Sequence, residues 1–291
     1  MEGTEFWKMQ GSGNDFILID NRAGKISEKD MAGLVQPLCM RRMSVGADGL
    51  IFIMGSKTHD FSWRFFNADG GEVEMCGNGS RCAARFAYLN GIAGPEMTFE
   101  TLAGTIKAVV NGRTVKVLMP VPSRISNDIA LVLDDGFPGD KKTLPSAPEI
   151  PGGLSRMADF INTGVPHAVI RVKDIHNHNV KAEGRAVRYH PRFAPAGTNA
   201  DFMVVTGPND IMMRTYERGV EGETLACGTG AIACALTSAA RGDVVSPVRV
   251  KTAGGETLVI YFEVRKDGFE KVFLEGNTSL IYKAVLGKEA F

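Results

Sequence analysis

The sequence predicts an α+β protein of two pseudo-symmetric domains. Three observations predict it. The chain has 291 residues, enough for two ordinary domains that each bury a core. The frame Gly-Glu-x-x-x-Cys-Gly-x-Gly occurs twice, as GEVEMCGNG at 71–79 and GETLACGTG at 222–230, with its cysteines 151 positions apart. Around both copies the same order of extended and helical stretches repeats, which points to duplication.

The elements follow in chain order. WRFFNADGGEVEMC at 63–76 and MRTYERGVEGETLAC at 213–227 both start Arg-x-aromatic, cross a Gly-rich charged turn and reach cysteine; the second is one residue longer. A helix follows each. SRCAARFAYLNG at 80–91 sets Cys82, Ala83, Phe86 and Ala87 on one face and stops at Asn90-Gly91; AIACALTSAARG at 231–242 stops at Gly242. TLAG at 101–104 and TAGG at 252–255 come next, again 151 apart, and each leads into alternating stretches that read as hairpins. A further echo joins GSGNDFILID at 11–20 to GTNADFMVV at 197–205, at a different offset that implies unequal loop lengths. Two prolines in MPVPSR at 119–124 mark the boundary, giving domains at 1–121 and 122–275, with 276–291 returning to the first. Residues 134–154, rich in Gly, Pro and Lys, read as surface loop.

Composition narrows the function. Formal net charge is zero, against the basic surplus expected of a nucleic-acid binder. No apolar run reaches a membrane span, and the N-terminus lacks the pattern of a signal peptide, so the expectation is a cytoplasmic protein. Five cysteines, an odd number, argue against a disulfide framework. Cys76/Cys82 and Cys227/Cys234 are six and seven apart, unlike zinc knuckles, and the expectation is no metal. His176 and His178 fall in a stretch that reads as solvated loop, and Cys39, Cys82 and Cys234 are assigned to packing.

The paired frames carry the chemistry. Each places a cysteine where an extended run turns into a helix. Free amides and the helix dipole there favour a thiolate and bind a carboxylate. Two such helix starts facing each other across a pseudo-twofold axis would set a thiol on each face of one carbon. Inverting an α-carbon needs a base on one face and an acid on the other. Oriented amides would stabilise the developing charge, so no cofactor is expected. GSGNDF at 11–16 lacks the third glycine of a dinucleotide motif.

The motifs MQGSGNDF, VGADGL, FNADGGEVEMCGNGSRC, NTGVPHAV, AGTNADF and YERGVEGETLACGTGA span the chain, and with them the sequence resembles the diaminopimelate epimerase family, among the cofactor-independent amino-acid racemases and epimerases. The resemblance implies a mixed β-sheet wrapped around a central helix in each domain, with the active site in the cleft between them. It implies interconversion of LL- and meso-diaminopimelate, toward lysine and peptidoglycan, and a homodimer. By position, Cys76 and Cys227 would be the acid/base pair, tuned by His167 and Glu217. Gly77, Asn78, Gly228 and Thr229 would bind the reacting carboxylate through amides. Asn14, Asn67, Asn199, Glu217 and Arg218 would hold substrate, with Arg218 suited to its distal carboxylate. Gly49 and Val165 depart from family members that carry glutamine and asparagine there, although Asn162 and Thr163 lie close in sequence.

Three other readings stay open: a cofactor-free racemase of another amino acid such as histidine or a proline derivative, a thiol redox or metal-binding protein, and an amino-acid-binding module without catalysis.

Overall fold

The computed structural model describes residues 2–133 and 154–290, and the chain divides into two compact units, Met1–Met119 with Glu275–Phe291, and Pro120–Leu274. The stretch read as surface loop lies outside the described residues except for Leu154, which opens a strand.

The first unit holds β1 (Glu5–Gly11), β2 (Asn14–Asp20), α1 (Glu28–Cys39), β3 (Gly49–Met54), β4 (Phe61–Asn67), α2 (Gly77–Leu89), β5 (Glu96–Thr101), β6 (Gly104–Asn111) and β7 (Thr114–Leu118). β1 and β2 form an antiparallel hairpin, and α1 carries the chain across to β3, parallel to β2. β4 returns antiparallel to β3, α2 crosses to β5, parallel to β4, and β6 and β7 continue as antiparallel hairpins. The C-terminal strand Ser279–Val285 pairs antiparallel with β1.

The second unit holds β8 (Ser123–Leu133), β9 (Leu154–Asn162), β10 (Pro166–Arg171), α3 (Val180–Arg188), β11 (Asn199–Gly207), β12 (Asp210–Glu217), β13 (Gly222–Thr224), α4 (Gly228–Ala240), β14 (Val248–Lys251), β15 (Thr257–Arg265) and most of β16 (Gly268–Asn277), whose end from Glu275 belongs to the first unit. Its pairing order repeats that of the first: β9–β10 antiparallel, β10–β11 parallel across α3, β11–β12 antiparallel, β12–β14 parallel across α4, β14–β15 antiparallel. Each half is therefore a mixed sheet with two crossover helices.

The side-chain pattern explains the layers. FILID and GLIFIM are continuous apolar runs, which suits strands covered on both faces. Ile17, Ile19, Leu50 and Phe52 meet Met31, Val35 and Leu38 of α1. On the opposite face of the sheet Phe16 packs edge-on to Phe65, and Trp7 packs on Phe86 of α2. α2 is buried from Gly77 to Ala84 and α4 from Gly230 to Ser238, which a helix enclosed by its sheet requires. Their small residues let the strands close in, so Ala83→Leu would overpack the core around α2 at a cost of about 1–3 kcal/mol. Cys39, Cys82 and Cys234 are all buried in these layers.

Two readings need correction. The echo of GSGNDF and GTNADF joins strands that are not equivalent: Asn14–Phe16 opens the second strand of its unit, whereas Asn199–Phe202 opens the third strand of the described β9–β12 series. The two begin alike because both enter buried strands beneath a helix start, not because they are duplicated. His178 is also not a solvated loop residue. Its ring lies 4.4 Å from that of Phe202, its Nε2 is 3.6 Å from Glu183, and burial lowers its pKa.

Candidate active site

Cys76 is the N-cap of α2. Its extended backbone, at φ −144° and ψ 121°, ends the turn, and its Sγ accepts the Gly79 amide at 3.4 Å. The helix then starts with Ser80 N donating to the Cys76 carbonyl, leaving the Gly77 and Asn78 amides at the open end. Cys227 occupies the N-cap position of α4 with a similarly extended backbone, at φ −118° and ψ 111°, and Ala231 N donates to its carbonyl. Its Sγ lies 3.4 Å from the Thr229 hydroxyl.

The two thiols differ in surroundings. Cys76 is half-buried, whereas Cys227 is 6% exposed. Burial pushes the Cys227 thiol pKa well up, and the charges of Glu217 and Asp201 push it further, against the lowering effect of Thr229 and the Gly230 amide.

In the first unit a hydrogen-bonded chain leads to the helix start. Asn78 Nδ2 donates to Asn14 Oδ1 at 3.3 Å, and Asn14 Nδ2 donates to Asp48 at 2.6 Å. Arg41 spans Asp48 and Asp15, and the buried Lys8 reaches Asp15 at 2.9 Å. Burial alone would raise the Asp15 pKa, but Arg41 and Lys8 overcome it and hold the carboxyl at about 2. From the helix side, the wholly buried Arg81 donates to Asn78 Oδ1 at 2.8 Å and to Ser12 at 2.6 Å. Asn67 lies at the end of β4, opposite Gly49 in register and exposed.

Gly49 is required by its neighbours. A Cβ there would fall 2.6 Å from the Phe65 ring and 2.7 Å from the Phe66 carbonyl. A side chain at this position would therefore need its neighbours to shift.

In the second unit the candidates converge. His167 and Asn199 are register partners on β10 and β11. Asn199 donates to the Pro166 carbonyl and accepts the Arg218 amide at 2.8 Å. His167 Nδ1 is 2.7 Å from Asp201; a carboxylate only accepts, so Nδ1 carries the proton. Nε2 is buried, without a hydrogen-bond partner among the described residues. Asp201 also accepts from Thr215 at 2.7 Å and lies so close to α4 that a Cβ on Gly230 would meet it at 2.5 Å. The turn beside Val165 is committed elsewhere: Thr163 donates to the Thr229 carbonyl at 3.2 Å, and Asn162 Oδ1 accepts the Gly164 amide.

The structure thus gathers Asn14, Asn78, Gly77 and Cys76 in one unit, and His167, Asn199, Glu217, Arg218, Cys227, Gly228 and Thr229 in the other. Asp48, Arg81 and Asp201 were missed as site residues. Their signal lay inside VGADGL, CGNGSRC and GTNADF, but only as motif members.

A separate cavity of about 300 Å³ in the second unit is lined by Asp128, Arg156, Asp159, Arg171 and Arg241 among others. Its arginines are paired with Glu183, Asp243, Asp128 and Asp159, so it is not set up as an anion site.

A family model described as diaminopimelate epimerase matches residues 6–125 and 160–281. The chain belongs to the diaminopimelate epimerase family. Diaminopimelate epimerase of Aquifex aeolicus is 46% identical over 299 residues, covering 98% of this chain and 98% of its own. That of Archaeoglobus fulgidus is 38% identical over 285 residues, covering 97% and 95%. Membership makes the chain an enzyme, an isomerase acting on a small molecule. Among solved structures, a phenazine biosynthesis protein of the PhzF family from Bacillus anthracis superposes with TM-score 0.69 at 15% identity, covering 98% of this chain and 99% of that one. A probable proline racemase from Agrobacterium radiobacter, with bound carbonate, reaches 0.66 at 16% identity, covering 99% and 94%. At these identities the likeness is one of fold, an α+β architecture of mixed sheets. No helix among the described residues is long and apolar enough to cross a membrane.

Proposed function

We propose that the chain interconverts LL- and meso-diaminopimelate by a two-thiol proton transfer without a cofactor, in the cytoplasm and as a homodimer. The observation that carries the reading is the duplicated helix start: Cys76 and Cys227 each cap a buried helix whose first amides are open. One thiolate removes the α-proton of one centre. The opposite thiol delivers a proton to the other face, and its sulfur becomes the thiolate that starts the reverse reaction. No proton is gained or lost overall.

The amides of Gly77, Asn78, Gly228 and Thr229 would hold the reacting carboxylate and take up charge as the α-carbon loses its proton. Asn14, Asn67, Asn199, Glu217 and Arg218 would hold the substrate, with a carboxylate for its distal ammonium and Arg218 for its distal carboxylate. Burial and the charges of Glu217 and Asp201 favour the thiol form of Cys227 over its thiolate.

Gly49 leaves room for a second reading, the same chemistry on another amino acid, because the glutamine that some family members carry at that position has no counterpart here.

Proton NMR of the reduced protein with LL-diaminopimelate in D2O tests the reading, beside Cys76→Ser and Cys227→Ser. The expected result is loss of the α-proton signal and growth of the meso isomer, crippled in both variants. No exchange with diaminopimelate, but exchange with another amino acid of a panel, would move the substrate. Binding without exchange of any kind would leave a binding protein.

A further inference from the structure

The glutamate of the repeated frame lies four residues before each cysteine and takes no part in the chemistry above. Its partner is the arginine of the repeated Arg-x-aromatic. Glu72 is held by the Nε and Nη2 of Arg64, the latter at 2.8 Å. Glu223 is held by the same two nitrogens of Arg214, at 2.7 and 2.8 Å. Each glutamate sits across the ladder from an aromatic residue, Phe66 or Tyr216, so the fork closes the turn back onto the strand before it.

The third nitrogen reaches outward in both units. Arg64 Nη1 bonds Glu28 in the first turn of α1. Arg214 Nη1 donates to the carbonyls of Ile175, His176 and His178, just ahead of α3, at 2.9, 3.2 and 3.0 Å. All four side chains are 23–30% exposed, shielded enough for a fork to hold its geometry.

We propose that Arg64–Glu72 and Arg214–Glu223 are two copies of a positioning clamp that fixes the turn before each cysteine, and so places each thiol at its helix N-cap. They act through the turn, each on the cysteine of its own unit. The catalytic consequence rests on the two-thiol reading; the local consequence does not.

The test uses the full-length reduced protein with Glu72→Gln and Glu223→Gln, which remove a charge and keep the shape. Iodoacetamide labelling is followed separately at Cys76 and Cys227 by peptide mass. Loosening one turn lowers the cost of local opening, so Glu223→Gln raises the Cys227 rate about tenfold and leaves Cys76 within about twofold, and Glu72→Gln does the reverse. In turnover, each variant lowers kcat about tenfold with KM within about threefold, because the placement of a thiol and not substrate binding is disturbed. If Glu223→Gln does not fold, Arg214→Lys, which keeps the charge and loses the fork, is read in the same way. Equal changes at both cysteines, or none, overturn the clamp, as does an unchanged kcat in an active enzyme. If the wild-type protein turns over no diaminopimelate, the proposed function falls, and the labelling alone still decides the clamp.

Discussion

Asp201 accepts the Nδ1 proton of His167 at 2.7 Å, with both side chains wholly closed to solvent. Thr215 satisfies the other carboxylate oxygen. Removing the carboxylate leaves two buried donors without an acceptor. Asp201→Ala is therefore expected to lower stability by about 2–4 kcal/mol, and Asp201→Asn, which retains one acceptor, by less. Urea unfolding followed by circular dichroism measures both; equal loss in the two variants would mean that the hydrogen bonds are not what Asp201 contributes.

The Glu217 charge is the largest electrostatic cause, after burial, of the raised Cys227 pKa. Glu217→Gln removes a negative charge that disfavours the thiolate, so Cys227 is expected to ionise at lower pH. Its labelling by iodoacetamide should begin about one pH unit earlier, the size of shift that one nearby charge produces. In the wild-type protein at neutral pH, Cys76 should label faster than Cys227. A Cys227 profile that stays in place in Glu217→Gln would separate the two groups electrostatically.

Gly49 faces the Phe65 ring and the Phe66 carbonyl with no room for a methyl group. Gly49→Ala is expected to cost about 1–3 kcal/mol through overpacking. Thermal unfolding reads it, and Gly49→Ala combined with Phe65→Leu should recover part of the loss on the ring side. An unchanged melting temperature would show that this strand pair yields easily.

Asp15 is held at about 2 between Lys8 and Arg41, below its ordinary value of 3.8. A depressed folded-state pKa contributes stability that is complete above the unfolded value and is lost as pH falls through the folded one. The window is therefore from about pH 4 down to about pH 2, with a contribution of about 1 kcal/mol after allowance for screening on the exposed Arg41 side. Asp15→Asn should be less stable than the wild type at pH 7, and the gap should close across that window. A gap that persists at pH 2 would assign it to packing.

Much of the local structure was legible. The helix starts at Cys76 and Cys227 could be read because glycine, the cap and the apolar spacing are neighbours in sequence. The stops at Asn90-Gly91 and Gly242 were legible for the same reason, and both glycines adopt positive φ. The repeated Arg-x-aromatic and Gly-Glu were visible too, but not that Arg64 grips Glu72 and Arg214 grips Glu223. The likeness of GSGNDF to GTNADF misled, because two strands with similar demands at their first residues can look alike without occupying the same place.

The sequence by itself determined the alternation of strands and helices, the duplicated pattern and the placing of a cysteine at each helix start. These depend on backbone preference and side-chain periodicity over a few adjacent residues. Only the tertiary structure decided which polar groups meet: His167 with Asp201 across 34 positions, Asn14 with Asp48 across 34, and Asn78 with Asn14 across 64. Such pairs are set by strand register and crossover geometry. Burial then makes each one matter, since a polar group away from water must find its partner within the fold.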